Sequence, residues 1–536
     1  MIDLLKIVNS QNLINRDIKK TKEIKPYMSE SREKILSPEK LSNHKDFDWK
    51  NYKIISSKKE LEEFIDNNEF KFVNCIFNLD VDFNNFIFDK ETTFHESIFV
   101  GKANFSFSEF GAEISNFFNV TFLDVVDFET TIFRSREICF RSSTFKKSAN
   151  FMDTQFAGKL DLQYCNFSGE VLLNYANKFN KTLNTPLKIE LDGSTFEKKV
   201  IFYNRHFDSS SFSNTKFKAL SDFFNASFNE DMCFDKTDFL GTTVFAEAKF
   251  YKKAIFLYTQ VSRNMILRNT QFLGGVNLAL INFIGEGYIN TLEIKIHDVP
   301  SDGIVSENTY DYLNEKINVS HKRASYRILK HEALKQNNKI DALVFHGVEM
   351  QTHLKELNEI KRLVNKSLNL LISRYRKVHK SFINLQLFKL KTKKYLPVKW
   401  VLIFTIFNSH ILKIKRFKHD DRGFWNRWIL RLNKFSNNFG LNPGRGIAFT
   451  VLTTIVFYFI FLIFLSKECN CLEFDIKNLG ETFKYGVQFF NLSKWDYEPY
   501  KIDTYNWALI VLVFGRIFIG FGMYQTIQAF RKYGRF

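Results

Sequence analysis

A large apolar residue recurs every five or six positions between residues 72 and 290 of the chain. The residues in between are mostly polar, and a small or β-branched residue stands two positions before each large one, as in Ala103 before Phe105. An α-helix would need a period of about 3.6 residues and a strand would need continuous alternation, so neither fits. The pattern predicts a coil that turns a corner about every five residues and points one small and one large side chain inward on each side.

The large residue is nearly always phenylalanine, which accounts for 62 of the 536 residues. The periodicity loosens between residues 174 and 194, around Pro186, and returns at Phe196. Apart from Pro186, proline is absent from residues 39–299, as a continuous ladder of backbone hydrogen bonds requires. The predicted core comprises Phe77, Phe83, Phe88, Phe94, Phe99, Phe105, Phe217, Phe223, Phe228, Phe234, Phe239, Phe245 and Phe250.

This spacing resembles the pentapeptide-repeat family, in the phenylalanine-rich variant where units of five and six residues alternate. The resemblance implies a mainly β fold, a right-handed, four-sided (quadrilateral) β-helix with about 20–22 residues per coil. About ten coils at roughly 4.8 Å would give a solenoid on the order of 50 Å long. No coil can bury its own phenylalanines, so neighbouring coils must stack, and a short helix at about residues 61–65 is expected to cover the first one.

A helical pattern follows the repeats. Tyr326, Leu329 and Ala333 lie on one face of a first predicted helix, Asn337 and the next residue indicate a turn, and a second helix runs from about 340 to 375. The string Tyr326-Arg-Ile-Leu-Lys330, followed by Asp341-Ala342, Phe345 and Glu349-Met350, resembles the helical pair that often follows the repeats in membrane-anchored pentapeptide proteins. That resemblance implies a cap and spacer.

Two segments near the C-terminus are long and apolar enough for a transmembrane hairpin. Residues 446–465 carry no charge, and residues 507–530 are apolar except for Arg516 and a polar end. Arg516 lies near mid-span, where a charge is costly unless it is paired, hydrated or able to snorkel. It is a candidate for a polar path, or for a pairing with a lipid phosphate or a loop carboxylate such as Glu481.

Most of the chain's positive charge precedes the first span. Residues 374–434 contain 17 basic and two acidic residues, which gives +15 of the net +18. Interleaved aromatic residues are typical both of nucleic-acid surfaces and of belts on anionic lipid, and the adjacent span favours lipid as the partner over nucleic acid. The apolar residues 401–407 are too short to span and are interpreted as interfacial. The belt candidates are Lys391, Lys393, Lys394, Lys413, Lys415, Arg416, Arg431 and Lys434.

The flanking charges predict the orientation in a bacterial inner membrane. The loop 467–506 has five basic and seven acidic residues, whereas basic residues precede the first span and follow the second. By the positive-inside rule the solenoid and both termini are cytoplasmic and the loop is outside. The predicted domains are 1–70 (N-terminal region and cap), 71–292 (β-helix), 300–395 (helical spacer), 396–445 (basic juxtamembrane region), 446–466 (first span), 467–506 (loop), 507–530 (second span) and 531–536 (tail).

No motif indicates catalysis, so we expect neither an enzyme nor a cofactor. His346, Glu349 and His353 can share a helix face, but they lack the His-Glu-x-x-His spacing of zinc proteases and are interpreted as an ordinary helix surface. The leading hypothesis is a membrane-anchored binding or scaffold protein that presents the β-helix to a protein partner.

Two other functions stay open. The span–loop–span order resembles two-helix channels, with residues 479–492 where a pore helix would lie, so an oligomeric channel-like or membrane-perturbing effector gated by the solenoid is the rival. Gly515, Gly520 and Gly522 would allow the close helix packing of a homo-oligomer. A weaker hypothesis is DNA mimicry directed at a DNA-binding enzyme, because residues 72–133 carry ten acidic and two basic residues.

Overall fold

A computed structural model describes residues 52–68, 70–176, 186–297, 319–390, 421–469, 486–493 and 506–531. The chain divides into two compact units, Met1–Val299 and Pro300–Phe536. The first unit is a parallel β-solenoid of about 11 turns, and the second is helical and includes two candidate membrane-spanning helices. The predicted fold class is confirmed.

Very short parallel strands form the four faces of the solenoid. Face 1 consists of Lys53–Ile55, Cys75–Phe77, Ile98–Phe99, Thr121–Phe122, Thr144–Phe145, Asn166–Phe167, Thr195–Phe196, Lys216–Phe217, Asp238–Phe239, Gln260–Val261 and Asn282–Phe283. Face 2 consists of Val81–Asp82, Ala103–Asn104, Val126–Asp127, Ala149–Asn150, Val171–Leu172, Val200–Ile201, Ser221–Asp222, Thr243–Val244, Asn264–Ile266 and Tyr288–Asn290.

Faces 3 and 4 are each built from two sets of strands. Face 3 consists of Ile87–Phe88, Glu109–Phe110, Ile132–Phe133 and Gln155–Phe156, then His206–Phe207, Ser227–Phe228, Lys249–Phe250, Gln271–Phe272 and Lys295–Ile296. Face 4 consists of Thr92–Thr93, Ile114–Asn116, Glu137–Cys139, Lys159–Asp161 and Lys188–Glu190, then Met232–Cys233, Ala254–Ile255 and Val276–Asn277. Bridges through Ser211 join the two sets of face 4.

The strand register gives the length of each coil. Phe77 pairs with Phe99 and Phe99 with Phe122, which are steps of 22 and 23 residues. The step from Phe167 to Phe196 is 29 residues, because this coil contains the segment 177–185, which lies outside the described residues. The first strand, Lys53–Ile55, pairs with Cys75–Phe77, so face 1 begins before the predicted boundary at residue 71.

Tight turns form corners of the solenoid. After most face 2 strands the chain turns through four residues, as where the Phe86 N–H donates to the Phe83 carbonyl at 3.0 Å. The third residue of these turns has a left-handed backbone, for example Asn85 with φ of 55° and Asn225 with φ of 51°. Asparagine tolerates this conformation better than most residues, which accounts for its frequency at the corners.

The small residue that precedes many phenylalanines also forms a hydrogen bond. Thr131 Oγ1 donates to the Phe105 carbonyl and Thr154 Oγ1 to the Phe128 carbonyl, both at 2.7 Å, and the two threonines are fully buried. A buried carbonyl without a hydrogen-bond donor would destabilise the core, and the threonine hydroxyl supplies a donor to the carbonyl of the preceding coil. Size alone therefore does not explain the choice of residue.

A helix, α1 (Lys58–Asn68), packs on the first coil, as predicted for residues 61–65. Its Leu61 is fully buried, and the Phe64 ring stacks on Phe72 with centroids 5.2 Å apart. Ser57 Oγ accepts from the Glu60 N–H and Glu60 Oε2 accepts from the Ser56 N–H at 2.7 Å, which together cap the start of the helix.

The second unit contains five long helices in the part of the chain that is described. They are α2 (Val319–Lys335), α3 (Lys339–Leu390), α4 (Asp421–Asn437), α5 (Pro443–Cys469) and α6 (Asn506–Phe530). The predicted turn is confirmed at Asn337, which has φ of 56°, and α3 extends beyond the predicted end near 375. Tyr326, Leu329 and Ala333 of α2 are buried, and the Tyr326 ring lies 6.3 Å from Phe345 of α3.

Candidate functional site

The predicted core phenylalanines form continuous columns inside the solenoid. Each of the thirteen is at most 1% exposed. On face 1, Phe77 and Phe99 stack with centroids 4.4 Å apart, and the column continues through Phe122 at 4.9 Å. Aromatic stacking adds to area burial, so the columns support a rigid solenoid.

Two phenylalanines of the stacked columns were not predicted from the sequence. Phe117 stacks between Phe94 and Phe140, at 5.0 and 4.5 Å, and Phe207 stacks on Phe228 at 4.9 Å. Phe117 follows its predecessor by seven residues rather than six, and Phe207 is preceded two positions earlier by arginine rather than a small residue. The signal that could have identified them is the phenylalanine one coil away in the same column, such as Phe140 for Phe117 and Phe228 for Phe207.

That arginine, Arg205, is the largest polar side chain in the solenoid core and is 2% exposed. It lies where face 3 is interrupted between Gln155–Phe156 and His206–Phe207. Its Nη2 donates to the Thr154 carbonyl at 2.8 Å, and its guanidinium lies 5.6 Å from the Phe156 ring centre. Burial lowers the pKa of Arg205 to about 10, which still leaves the group protonated at neutral pH. The long side chain thus reaches across the interruption in face 3 to the coil that contains Thr154 and Phe156.

Charges on the solenoid surface pair mainly from one coil to the next. Glu109 pairs with Arg134, and Asp124 with Lys147 at 3.0 Å. Burial alone would raise the pKa of Asp124, but hydrogen bonds from Lys147 and the Val125 N–H hold it below its usual value. The same pairing recurs in Lys159–Glu190, Lys199–Glu170, Lys218–Glu197 and Lys252–Glu230. Glu109 and Asp124 belong to the acidic segment on which the DNA-mimicry hypothesis rests. Because basic residues neutralise both, these pairs argue against a continuous negative face.

The two apolar helices α5 and α6 pack antiparallel through small residues. A Cβ at Gly446 would lie 3.0 Å from Thr526 Cα, and one at Gly522 would lie 3.1 Å from Thr450 Cα. Farther along, the Phe457 and Phe518 rings stack at 5.3 Å. Both helices are long enough to span a bilayer, over Pro443–Phe464 and Trp507–Phe530.

The glycines predicted to favour oligomers pack against residues of the same chain. Gly515 and Gly522 lie in close intrachain contacts, with the Phe489 ring and with Thr450, whereas Leu492 approaches Gly520 only to ordinary contact distance. The homo-oligomer stays a prediction. The outside of the pair carries many large apolar side chains: Ile447, Val451, Leu452, Ile455, Val456, Phe459, Ile463, Leu509, Ile510, Phe514, Ile517, Ile527 and Phe530.

Arg516 points into the helix pair rather than outward. It is 5% exposed and lies on the same face of α6 as Leu512 and Ile519, which are fully buried. These two residues belong to an apolar cluster with Tyr458 and Phe461 of α5. Snorkelling therefore does not describe this side chain. The suggested partner Glu481 lies outside the described residues.

A short helix at residues 486–490 occupies part of the predicted pore-helix segment. Phe489 is fully buried against Tyr458 and Phe461, at centroid distances of 5.7 and 5.5 Å. The position where Gly515 would carry a Cβ is 2.8 Å from the Phe489 ring, so this segment packs beside the residue preceding Arg516. Residues 479–485 lie outside the described part.

The turn between α4 and α5 joins four helices. Asn437 donates from Nδ2 to the Gln525 carbonyl of α6 at 2.9 Å and accepts the Gly440 N–H at 3.0 Å. Phe439 is buried beside Leu354 of α3, and a Cβ at Gly347 would meet Leu441. The segment thus fixes α4 against both α3 and the helix pair.

One side of α4 is apolar and exposed. Trp425, Trp428, Ile429 and Phe435 are each more than half exposed, at 67%, 54%, 55% and 66%. Tryptophan with basic residues is typical of helices at a membrane surface. Arg431 and Lys434 of the predicted basic belt lie on this helix and are exposed. Residues 401–407 and the other belt residues, Lys391, Lys393, Lys394, Lys413, Lys415 and Arg416, lie outside the described residues.

The histidine–glutamate group on α3 forms polar contacts with its surroundings. Glu349 accepts from Lys330 of α2 at 2.6 Å, with His346 Nδ1 3.7 Å away, and His353 lies 3.3 Å from Glu356. Burial lowers the pKa of His346, and the Lys330 charge lowers it further. Among the described residues, no group of three or more His, Cys, Asp or Glu is placed to hold a metal ion. Of these contacts, the Lys330–Glu349 ion pair joins α2 to α3.

Comparison of the chain with protein-family models, with curated proteins and with solved structures finds no match. The features that define its class are therefore those of the fold. A phenylalanine-cored parallel β-solenoid is combined with two helices that could cross a membrane, and this combination fits a membrane-anchored repeat protein.

Proposed function

We propose that this protein is a pentapeptide-repeat scaffold anchored in the bacterial inner membrane, with the solenoid in the cytoplasm, where it binds a protein partner along its faces. The observation that carries the proposal is the outward surface of α5 and α6, where Ile455 and Phe459 are 52% and 53% exposed amid other apolar residues. A surface of this kind is disfavoured in water and suited to lipid. The stacked aromatic columns support a rigid binding surface, as in other solenoids.

A channel-like function is the second candidate, and the inward position of Arg516 favours it. A buried cation at the middle of a candidate span is costly and is often retained for function. The short helix at 486–490 packs beside it, next to Gly515. An anchor needs neither feature, so the two functions predict different behaviour of an Arg516 variant.

We expect no ion flux through liposomes that contain the full-length protein, and none with Arg516→Leu at matched insertion. Arg531→Leu, which removes an exposed charge just beyond the same helix, is the matched control. The channel-like function would be favoured over the anchor if ion flux increases with the amount of protein and changes with Arg516→Leu but not with Arg531→Leu. If flux is absent throughout, photo-crosslinkers at exposed solenoid positions such as Ile87 can identify the partner.

A further inference from the structure

A groove of about 510 Å³ lies between the last turns of α4 and the first turns of α5. Arg431 and Lys434 of α4 and Arg445 of α5 line one part of it, and Phe435 and Leu452 line another. All five side chains are exposed, Phe435 to 66% and Leu452 to 53%. The groove is therefore amphiphilic, with a cationic part next to an apolar part.

Among the residues that the structure describes, no carboxylate pairs with the positive charges in this groove. Within the described residues, the polar contact of the three side chains is a hydrogen bond from Arg431 Nη2 to Asn358 Oδ1 at 3.3 Å. Three cations lining one groove repel one another, and an anion among them would relieve that repulsion. The groove therefore favours an anionic ligand.

The position of Arg445 adds to this preference. Asn442 Oδ1 accepts the Arg445 N–H at 3.1 Å, which caps α5 and places Arg445 in its first turn. The helix dipole disfavours a cation there and favours an anion. Arg445 thus does not stabilise its own helix, whereas a bound anion would be stabilised by both the side chain and the helix end.

The apolar part of the groove identifies the kind of anion. A soluble phosphate would leave Phe435 and Leu452 uncovered, whereas a phospholipid would cover them with an acyl chain. The wall is held in place by Phe449, whose ring lies 5.9 Å from Phe435 and 6.1 Å from Phe521 of α6. The groove also adjoins the start of the candidate span Pro443–Phe464, where headgroups would lie.

We infer that this groove binds an anionic phospholipid, with the phosphate against Arg431, Lys434 and Arg445 and an acyl chain along Phe435 and Leu452. The inference rests on the proposed membrane anchoring, because it requires α5 to cross a bilayer. It goes further in naming one lipid site instead of a diffuse attraction between a basic belt and a charged surface.

The test uses full-length protein in nanodiscs of phosphatidylcholine that contain a trace of fluorescent phosphatidylglycerol. The variant Arg431→Gln/Lys434→Gln/Arg445→Gln is compared with Lys361→Gln/Arg362→Gln/Lys366→Gln, which removes the same charge from exposed positions of α3. We expect the groove variant to bind phosphatidylglycerol at least about tenfold more weakly than the unmodified protein, and the α3 variant to bind it normally. The charge-conserving Arg431→Lys/Arg445→Lys should retain most of the binding.

Three results would overturn the inference. If the groove variant binds phosphatidylglycerol as well as the unmodified protein does, the groove is not the lipid site. If both charge variants lose binding equally, the net charge of the protein, and not this groove, determines binding. Displacement by soluble glycerol phosphate at comparable concentration would show that the ligand is a free anion. Failure of the unmodified protein to enter nanodiscs at all is a separate outcome, which would contradict the membrane anchoring itself.

Discussion

Replacing Phe128 by alanine is expected to lower the free energy of unfolding of the solenoid by about 3–5 kcal/mol. Phe128 is fully buried, and its ring stacks between Phe105 and Phe151 at centroid distances of 4.8 and 5.0 Å. The backbone on both sides is fixed by hydrogen bonds between coils, such as that from the Phe128 N–H to the Asn150 carbonyl at 2.7 Å. The coils therefore cannot collapse into the cavity, and most of the lost packing is not regained.

Hydrogen exchange of the full-length protein measures this effect coil by coil. Because each coil contacts only its neighbours, faster exchange should be concentrated near residues 105–151. Phe107→Ala is the matched control, since the Phe107 side chain is 56% exposed at a corner with φ of 56°, and it should change exchange little. Similar losses from both substitutions would contradict the stacked core.

Introducing lysine at both Ile455 and Phe459 is expected to remove the protein from the membrane fraction. Both side chains lie on the outside of α5 and are about half exposed, at 52% and 53%. In water a lysine at such a position is tolerated, whereas near the centre of a lipid-facing helix each costs about 3 kcal/mol or more. The substitution therefore distinguishes a membrane helix from an exposed helix of a soluble protein.

The measurement is the share of full-length protein that remains in membranes after alkaline extraction. The control variant Ile87→Lys/Phe107→Lys makes the same kind of change at solenoid positions that are 49% and 56% exposed. It should stay with the membranes, like the unmodified protein. If the α5 variant also stays, lipid does not surround this part of α5.

The fold was predictable because phenylalanine recurs at equivalent positions of nearly every coil. Phe77, Phe99 and Phe122 occupy equivalent sites, so spacing alone predicts the solenoid and the direction of its core. The prediction failed where spacing or the small residue changed, at Phe117 and Phe207. The continuation of the core there depends on contacts between coils, which are not local in sequence.

The helical unit was less predictable, since its details depend on how helices pair. Composition predicts the spans, but whether Arg516 faces lipid or the partner helix depends on their relative rotation. The role of Gly522 likewise became clear only from Thr450, 72 positions earlier in the sequence, against which it packs. Arg445 was not singled out for lipid binding, because its proximity to Arg431 and Lys434 depends on the turn through Asn437.

Labelling of the natural cysteines with a membrane-impermeant maleimide tests most directly whether the helices cross the membrane. Cys469 ends α5 and Cys471 follows in the predicted outside loop, whereas Cys75, Cys139, Cys165 and Cys233 belong to the solenoid. Burial raises the pKa of Cys75 and Cys233 to about 11, and it raises those of Cys139 and Cys165 as well, so the solenoid thiols should react slowly.

In intact cells treated with an impermeant reductant, we expect labelling of the full-length protein that disappears in the variant Cys469→Ser/Cys471→Ser. Labelling of this pair only after the inner membrane is permeabilised would place the loop on the inside and contradict two membrane crossings with cytoplasmic termini.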